Sequence, residues 1–300
     1  MFYTKIFNFI KDVLPVLNWS MTSKLVLVGI MCFSETIATS VYLHRSKVHN
    51  SVILSKVVQF FFEFILWLNT GVKTVLWMII HIHHHKHSDK KEDLHSPKNP
   101  ITVFGIKVYG PIVPIVKYFY LYGKVSPQIK AKMETMMKNE TRFEKFLFYK
   151  LSLLGPFVLL TLYLVLFGLS GIWMFFIQFL YLPVVAGGGI HGLRHNHKNV
   201  NPETHDFSSN VIELLEKSKR KWKYYVTMPF TIVVKTIIDI ATGGEWRHYA
   251  HHLKMASARI TLKKWEIDSG WIVIYLLHLC RLAKKVKYYS PKEGVNVTLK

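Results

Sequence analysis

An all-α, polytopic membrane protein, with about three to four transmembrane helices and further helices lying at the membrane surface, is the fold class that this sequence predicts. Three observations carry it. Half of the 300 residues are hydrophobic and 14% are aromatic, with a mean hydropathy of +0.21, an excess that suits a lipid-facing exterior better than a soluble core. Charged residues vanish from Leu151 to Ile190, a run of 40 residues broken only by Gly168-Leu169-Ser170-Gly171, and about 20 apolar residues suffice for one bilayer crossing. Leu25 to Leu43 is a further run of spanning length, interrupted by Glu35 alone.

The elements follow in chain order. The stretch from Met1 to Ser20 mixes Phe2, Phe7, Ile10 and Leu14 with Lys5, Lys11 and Asp12, and it reads as an interfacial helix rather than a signal peptide. Leu25 to Leu43 crosses the membrane. Glu35 inside it reads as a structural polar contact, with a substrate-cavity or proton-relay role as the alternative. Val57 to Ile80 carries Glu63, Asn69, Gly71 and Lys73, so it is expected to dip into the membrane, with Glu63 near the interface and without a role. The run from Leu151 to Ile190 supplies two helices joined by a tight turn. Tyr224 to Ile240 and Trp271 to Leu282 read as helices at the membrane surface.

Lysines and arginines crowd the segments from Lys86 to Lys150, from Arg194 to Lys223 and from Arg247 to Lys300. By the positive-inside rule these lie on the cytoplasmic side of an integral membrane protein, and the turn at Gly168 to Gly171 faces the other side. The total of 39 cationic against 18 acidic residues, a net charge of +21, would by itself suggest a nucleic-acid binder. Its location on one side of apolar spans points to membrane headgroups and acidic partners instead. Two scattered cysteines, Cys32 and Cys280, exclude a disulfide framework and a thiolate zinc site. With no internal repeat or long linker, residues 1–300 are treated as one domain whose core runs from about 24 to 287.

Fifteen of the sixteen histidines fall in four clusters, at 44 and 49, at 81–95, at 191–205 and at 248–252. Each cluster begins where an apolar run ends, so all four can meet in one helical cap on the cytoplasmic face. His81, His84 and His85 share the i, i+3, i+4 spacing with His248, His251 and His252, which on a helix puts three imidazoles on one face. His44 and His49 lie five apart, which on a continuous helix would separate them by about 140°, so a helix end or break is expected between them. Neutral imidazole suits iron, copper, nickel and zinc. One metal takes at most about six ligands, so eight histidines in three boxes, with more near residue 195, point to two metals. His87, His205 and His278 read as ordinary structural residues.

These residues carry a resemblance. His44-Arg45-Ser46-Lys47-Val48-His49, His81-Ile82-His83-His84-His85 and His248-Tyr249-Ala250-His251-His252 resemble the three histidine boxes of the membrane fatty-acyl desaturases, in that order and at similar intervals. Tyr42-Leu43 before the first box, Asp93-Leu94-His95-Ser96-Pro97 after the second, Gly243-Gly244-Glu245 before the third and Lys264 to Trp271 after it look most like the bacterial relatives of stearoyl-CoA desaturase. Between the second and third boxes the family carries Asn-x-x-x-His. Here His191-Gly192-Leu193-Arg194-His195 places His195 at the ligand position and His191 at that of the asparagine, which contacts metal through water in the family.

The resemblance implies an oxygen-dependent enzyme of the bacterial cytoplasmic membrane with two iron ions, held by His44, His49, His81, His84, His85, His195, His248, His251 and His252, with His191 as a further metal or water ligand. It would remove two hydrogens from a saturated acyl chain and leave a cis double bond, with Δ9 as the default position. Glu245 and Asp206 are placed to orient imidazoles by accepting their remaining N–H. A methylene chain offers no polar handle, so position must be measured by shape in an apolar tunnel, where Trp67, Trp77 and Trp173 would serve as lining or else as interfacial belt residues. The implied partners are an acyl-CoA, acyl-carrier protein or membrane lipid, and a separate ferredoxin-like or cytochrome electron donor with its reductase. The rival readings are a histidine-box hydroxylase of an alkyl, sphingoid or sterol chain and, in another class, a His-rich metal transporter, which would place ligands inside the spans.

Overall fold

The computed structural model describes residues 18–88, 90–93, 96–123, 127–193, 233–234, 236–261, 266–290 and 295–299. Helix α1, Met21–Val48, starts at Ser20, whose hydroxyl accepts the Ser23 amide at 3.1 Å and so satisfies one of the free donors of the first turn. From Ala38 to Val48 the helix is wound wide, its hydrogen bonds reaching five residues back instead of four. Helix α2, Lys56–Thr70, ends on Gly71 in the left-handed conformation, φ 64°, and α3, Thr74–His87, leaves it at 92°. A bend this sharp within the Val57 to Ile80 run suits a broken span or a re-entrant loop.

Helices α4, Val113–Gly123, and α5, Pro127–Met136, lead to α6, Arg142–Lys150, which meets α7, Leu154–Phe167, at 72°. After the turn at Gly168 comes α8, Ser170–Gly192, also wound wide from Pro183. A helical stretch at 236–241 precedes α9, His248–Leu253, and α10, Ser269–Leu279. By length and composition α1 and α8 can cross a membrane, and the number rises to four if each bent pair is one span. The expected three to four spans fall in that range. The surface helix read at Trp271 to Leu282 is helical as far as Leu279 and then turns into a strand. The interfacial segment expected up to Ser20, except residues 18–20, lies outside the described residues, as does most of Tyr224 to Ile240.

The all-α expectation missed three two-stranded antiparallel ladders: β1 (Ile53–Leu54) with β4 (Ala283–Lys284), β2 (Ile101–Val103) with β3 (Ile106–Val108), and β5 (Lys287–Ser290) with β6 (Val295–Thr298). The β2–β3 hairpin closes through Phe104 and Gly105, both at positive φ, 49° and 80°, the winding that a two-residue hairpin turn needs.

Two apolar clusters hold the helices together. One joins α1, α7 and α8 through Val28, Cys32, Leu159, Phe167 and Met174, and the other surrounds the wide end of α1 with α2 and α3. Inside them Tyr163 donates to Gln178 Oε1 at 2.6 Å and Gln178 Nε2 donates to Asn69 Oδ1 at 2.6 Å, tying α7, α8 and α2. Gly155 lets α7 rest on the backbone of Trp67, since a Cβ there would collide with that carbonyl.

Two acidic residues depart from expectation. Glu63 is buried and accepts hydrogen bonds from Thr74 at 2.8 Å, Tyr42 at 3.0 Å and Tyr149 at 3.3 Å. It pins α1, α3 and α6 to the bend and is no interfacial bystander. Glu35 is fully buried, but neither of its carboxyl oxygens has a hydrogen-bond partner among the described residues, so the structural contact expected of it is missing. Lys24 Nζ donates to Ser170 at 3.0 Å, placing the starts of α1 and α8 at one end of the bundle. Their histidine-bearing ends therefore share the other.

Candidate metal centre

The wide turns of α1 carry His44 into the interior. The helix ends at Val48, between His44 and His49 as expected, and the His49 amide still donates to the His44 carbonyl five residues back at 3.1 Å. The wide winding makes residues five apart neighbours, so the two rings meet at 4.8 Å. On α3, His81 and His85 bring their Nε2 atoms to 3.0 Å, and on α9 His248 and His252 do so at 3.1 Å. The two faces oppose each other: His251 Nε2 lies 3.0 Å from His44 Nε2 and 3.3 Å from His85 Nε2.

The imidazoles sort into two groups, His44 with His49, His85 and His251, and His84 with His248 and His252. In each, the candidate ligand nitrogens all lie within 4.8 Å of one another. His191 flanks the second group, its ring 5.3 Å from His84 and 5.6 Å from His248. His81 sits between the groups, 4.8 Å from His44 and 5.6 Å from His191 by ring centroids, and stacks on Trp77 at 4.6 Å. Nitrogen separations of 3.0–3.3 Å match the edge of a coordination polyhedron with metal–nitrogen bonds of about 2.1 Å. His49 Nε2 is buried without a hydrogen-bond partner, a costly state that a cation would relieve. The residues present therefore fit two metal ions.

The electrostatics agree. Burial, reinforced by the neighbouring imidazoles, pushes His251 and His252 well below the usual histidine pKa, so both hold the neutral form that ligates metal. Carboxylates grip the outer nitrogens: Asp93 Oδ2 lies 2.9 Å from His84 Nδ1 and Glu245 Oε2 lies 2.8 Å from His44 Nδ1, which turns each Nε2 inward. Burial would raise the Glu245 pKa, but His44, Arg45 and the Ser40 hydroxyl outweigh it and hold it below the usual carboxylate value. The Ser40 hydroxyl donates to Glu245 Oε1 at 2.5 Å. Buried Arg45 donates to the Gly243 carbonyl at 2.6 Å and pairs with Asp268 at 2.9 Å. Asp268 in turn accepts the Trp271 amide at the start of α10 and the Ile260 amide, each at 2.8 Å.

The sequence reading named Glu245 but gave no role to Asp93 or Arg45, although both stand in motifs that it quoted. A small cavity opens beside the centre, lined by Thr39, Ser40, Trp77 and Ile190 together with His44, His81, His191, Glu245 and His248. Trp77 thus lines this small cavity. Trp67 donates to the Leu151 carbonyl at 3.0 Å and Trp173 packs against the cluster that joins α1, α7 and α8. His278 hydrogen bonds to the Ala283 carbonyl of β4 at 3.1 Å, and His87 stacks on His83 at 4.5 Å. His195, His205 and Asp206 lie outside the described residues.

Comparison with known proteins puts this geometry in context. A family model described as "Fatty acid desaturase" matches residues 18–265. The chain is similar to the acyl-CoA C20 Delta5-desaturase of Anemone leveillei, 25% identical over 253 residues that cover 84% of this chain and 70% of the relative. It is similar to the sn-1 stearoyl-lipid 9-desaturase of Synechocystis sp., 26% identical over 248 residues, 81% of this chain and 65% of the relative. The Delta-9 acyl-lipid desaturase 1 of Arabidopsis thaliana is 22% identical over 254 residues, 85% of this chain and 72% of the relative.

Proposed function

The chain belongs to the fatty acid desaturase family, and from that premise we propose that it places a cis double bond, at the Δ9 position, in a saturated acyl chain, using two irons and dioxygen at the membrane's cytoplasmic face. The observation that carries the reading is the pair of opposed histidine groups at the end shared by both candidate spans. His44, His49, His85 and His251 would hold one iron, and His84, His248 and His252 the other, with His81 between them. His195 would complete the set, and His191 would bind directly or through water, with Asp206 as a further orienting acid.

Iron, when bound, supplies the oxygen activation and hydrogen removal that no side chain can perform on an unactivated methylene. The balance is simple: two hydrogens from adjacent methylenes, two electrons from a separate donor and two protons reduce dioxygen to two waters. The protein's own part is positional. Glu245 and Asp93 fix two imidazoles in the tautomer that turns Nε2 inward, and Trp77 packs against His81 and helps to close the cavity against water. The basic surface suits an acidic ferredoxin-like or cytochrome donor.

The test is the fatty-acid profile, by gas chromatography with double-bond location, of a desaturase-deficient host expressing this chain or its His84→Ala variant with a donor supplied. A new monounsaturated acid made by the intact chain alone is expected, and its position checks Δ9. Unchanged fatty acids with new hydroxylated lipids would replace desaturation by hydroxylation.

A further inference from the structure

Within the first histidine group His49 has the least support of its own. Among the described residues the carboxylates that meet candidate ligands, Glu245 and Asp93, go to His44 and His84. His49 stands one residue past Val48, the last of the wide turns of α1, so its position rests on the backbone that follows it. Asn50 turns through the left-handed conformation, φ 48°. Ser51, fully buried, then sends both its amide and its hydroxyl to the Arg45 carbonyl, at 2.9 and 2.8 Å. These two bonds fold the first box back on itself.

The carbonyl of Ser51 is taken from much further along the chain. It accepts the Lys287 amide at 2.8 Å, and the Lys287 carbonyl accepts the Ala258 amide at 2.7 Å. One residue of β5 thus bonds the segment behind His49 with one backbone group and the segment behind His251 with the other. The neighbouring tail is fixed as well: Ile53 and Leu54 pair with Lys284 and Ala283, the Tyr289 amide donates to Ser257 Oγ at 2.9 Å, and Lys254 Nζ lies 4.2 Å over the Tyr289 ring. Ser51 and Ala258 are fully buried, so breaking these bonds would strand backbone groups away from water. The family match ends at residue 265, and Lys287 lies beyond the part of the chain that it describes.

We propose that Ser51 and Lys287 are positioning residues of the first metal group: β5 clamps the segments behind His49 and His251 and so holds two of that group's four imidazoles in register with each other. The second group, His84 with His248 and His252, takes no ligand from the first box, so the clamp bears on one ion more than on the other. The inference rests on the two-metal part of the proposed function and on no feature of the reaction. Clamp and ion act on the same segments, and linkage makes the effect reciprocal. An ion held by His49 and His251 tightens the tail as the tail tightens the site.

The experiment uses the full chain in detergent, stripped of metal and titrated with cobalt(II), whose visible spectrum reports its ligands. The parent should bind two cobalt ions. Lys287→Pro, which removes the amide, and Ser51→Ala, which removes the hydroxyl, should each weaken one ion about tenfold or more and leave the other within about twofold. The spectrum they lose should be the one lost in His49→Ala and not the one lost in His248→Ala. Lys287→Ala keeps the amide and should hold both ions. Amide hydrogen exchange of the parent is the second measurement, and it stands even if the proline disrupts β5. Removing cobalt should speed exchange about tenfold in the peptides that carry Ala258, Lys287 and Tyr289. Unchanged exchange there would overturn the clamp, as would equal loss of both ions in the two variants with unchanged circular dichroism. A parent that binds no cobalt would remove the two-metal reading together with the clamp, whereas two ions bound beside an indifferent tail would sink the clamp alone.

Discussion

At Glu245 one carboxylate meets the first histidine box, the Ser40 hydroxyl and the Arg45 guanidinium, so a single side chain carries the orientation of His44. Replacing it with glutamine keeps the shape and removes the charge. Glu245→Gln is expected to weaken metal retention about 10- to 100-fold, read by competition with a chelator, and Asp93→Asn should do the same through His84. His278→Ala should leave retention unchanged, since its ring meets the Ala283 carbonyl of β4 and belongs to neither histidine group. At this scale the boxes were legible in the sequence, because i, i+3, i+4 spacing converts directly into one helix face. Asp93, Arg45 and Glu63 were not, because their partners lie on other segments or across a turn, which local periodicity does not report. Glu35 shows the reverse: a polar residue in an apolar run was visible, but its lack of a partner was a fact of packing.

Among the elements, the turn at Gly243 and Gly244 joins the helical stretch at 236–241 to the third box. Both residues have positive φ, 67° and 84°, and a Cβ on Gly244 would stand 2.7 Å from Asp268 Oδ1 and 3.2 Å from Arg45 Nη2. Gly244→Ala is therefore expected to cost about 1–2 kcal/mol of backbone strain and to disturb the Arg45–Asp268 pair as well. Thermal unfolding in detergent should show a lowered midpoint. Glu63→Leu leaves buried hydroxyls without their acceptor at about 1–3 kcal/mol for such a loss, and the same measurement checks it. The long apolar runs announced their helices through length alone, and Glu63, Asn69, Gly71 and Lys73 marked the second as irregular without placing its bend. The hairpins were hidden, because strands of two to four residues lie below what an alternating pattern can signal.

For the whole molecule, the contact between Lys24 and Ser170 and the shared histidine end of α1 and α8 make a statement about sidedness. In a Cys280→Ser background, Leu169→Cys should react with an impermeant thiol reagent from one side of sealed vesicles and Met255→Cys from the other. Both positions are exposed, and Cys32 is buried. Labelling of both from the same side would undo the membrane arrangement. The charge distribution predicts this arrangement, whereas the outer cleft lined by Ile115, Val184 and Trp246 has no sign in the sequence, since it is shared by three segments far apart along the chain.

The wide winding at Ala38–Val48 bears on how such a chain can vary over descent. Each residue of an ordinary helix turns the next by about 100°, so losing one residue between Ala38 and Leu43 would tighten the coil and rotate everything behind it away from its partners. A substitution there that keeps side-chain size and polarity leaves the winding in place and can be absorbed. Deletions of one codon cannot, and this stretch should keep its residue count in every functional variant while the surface loops change length freely.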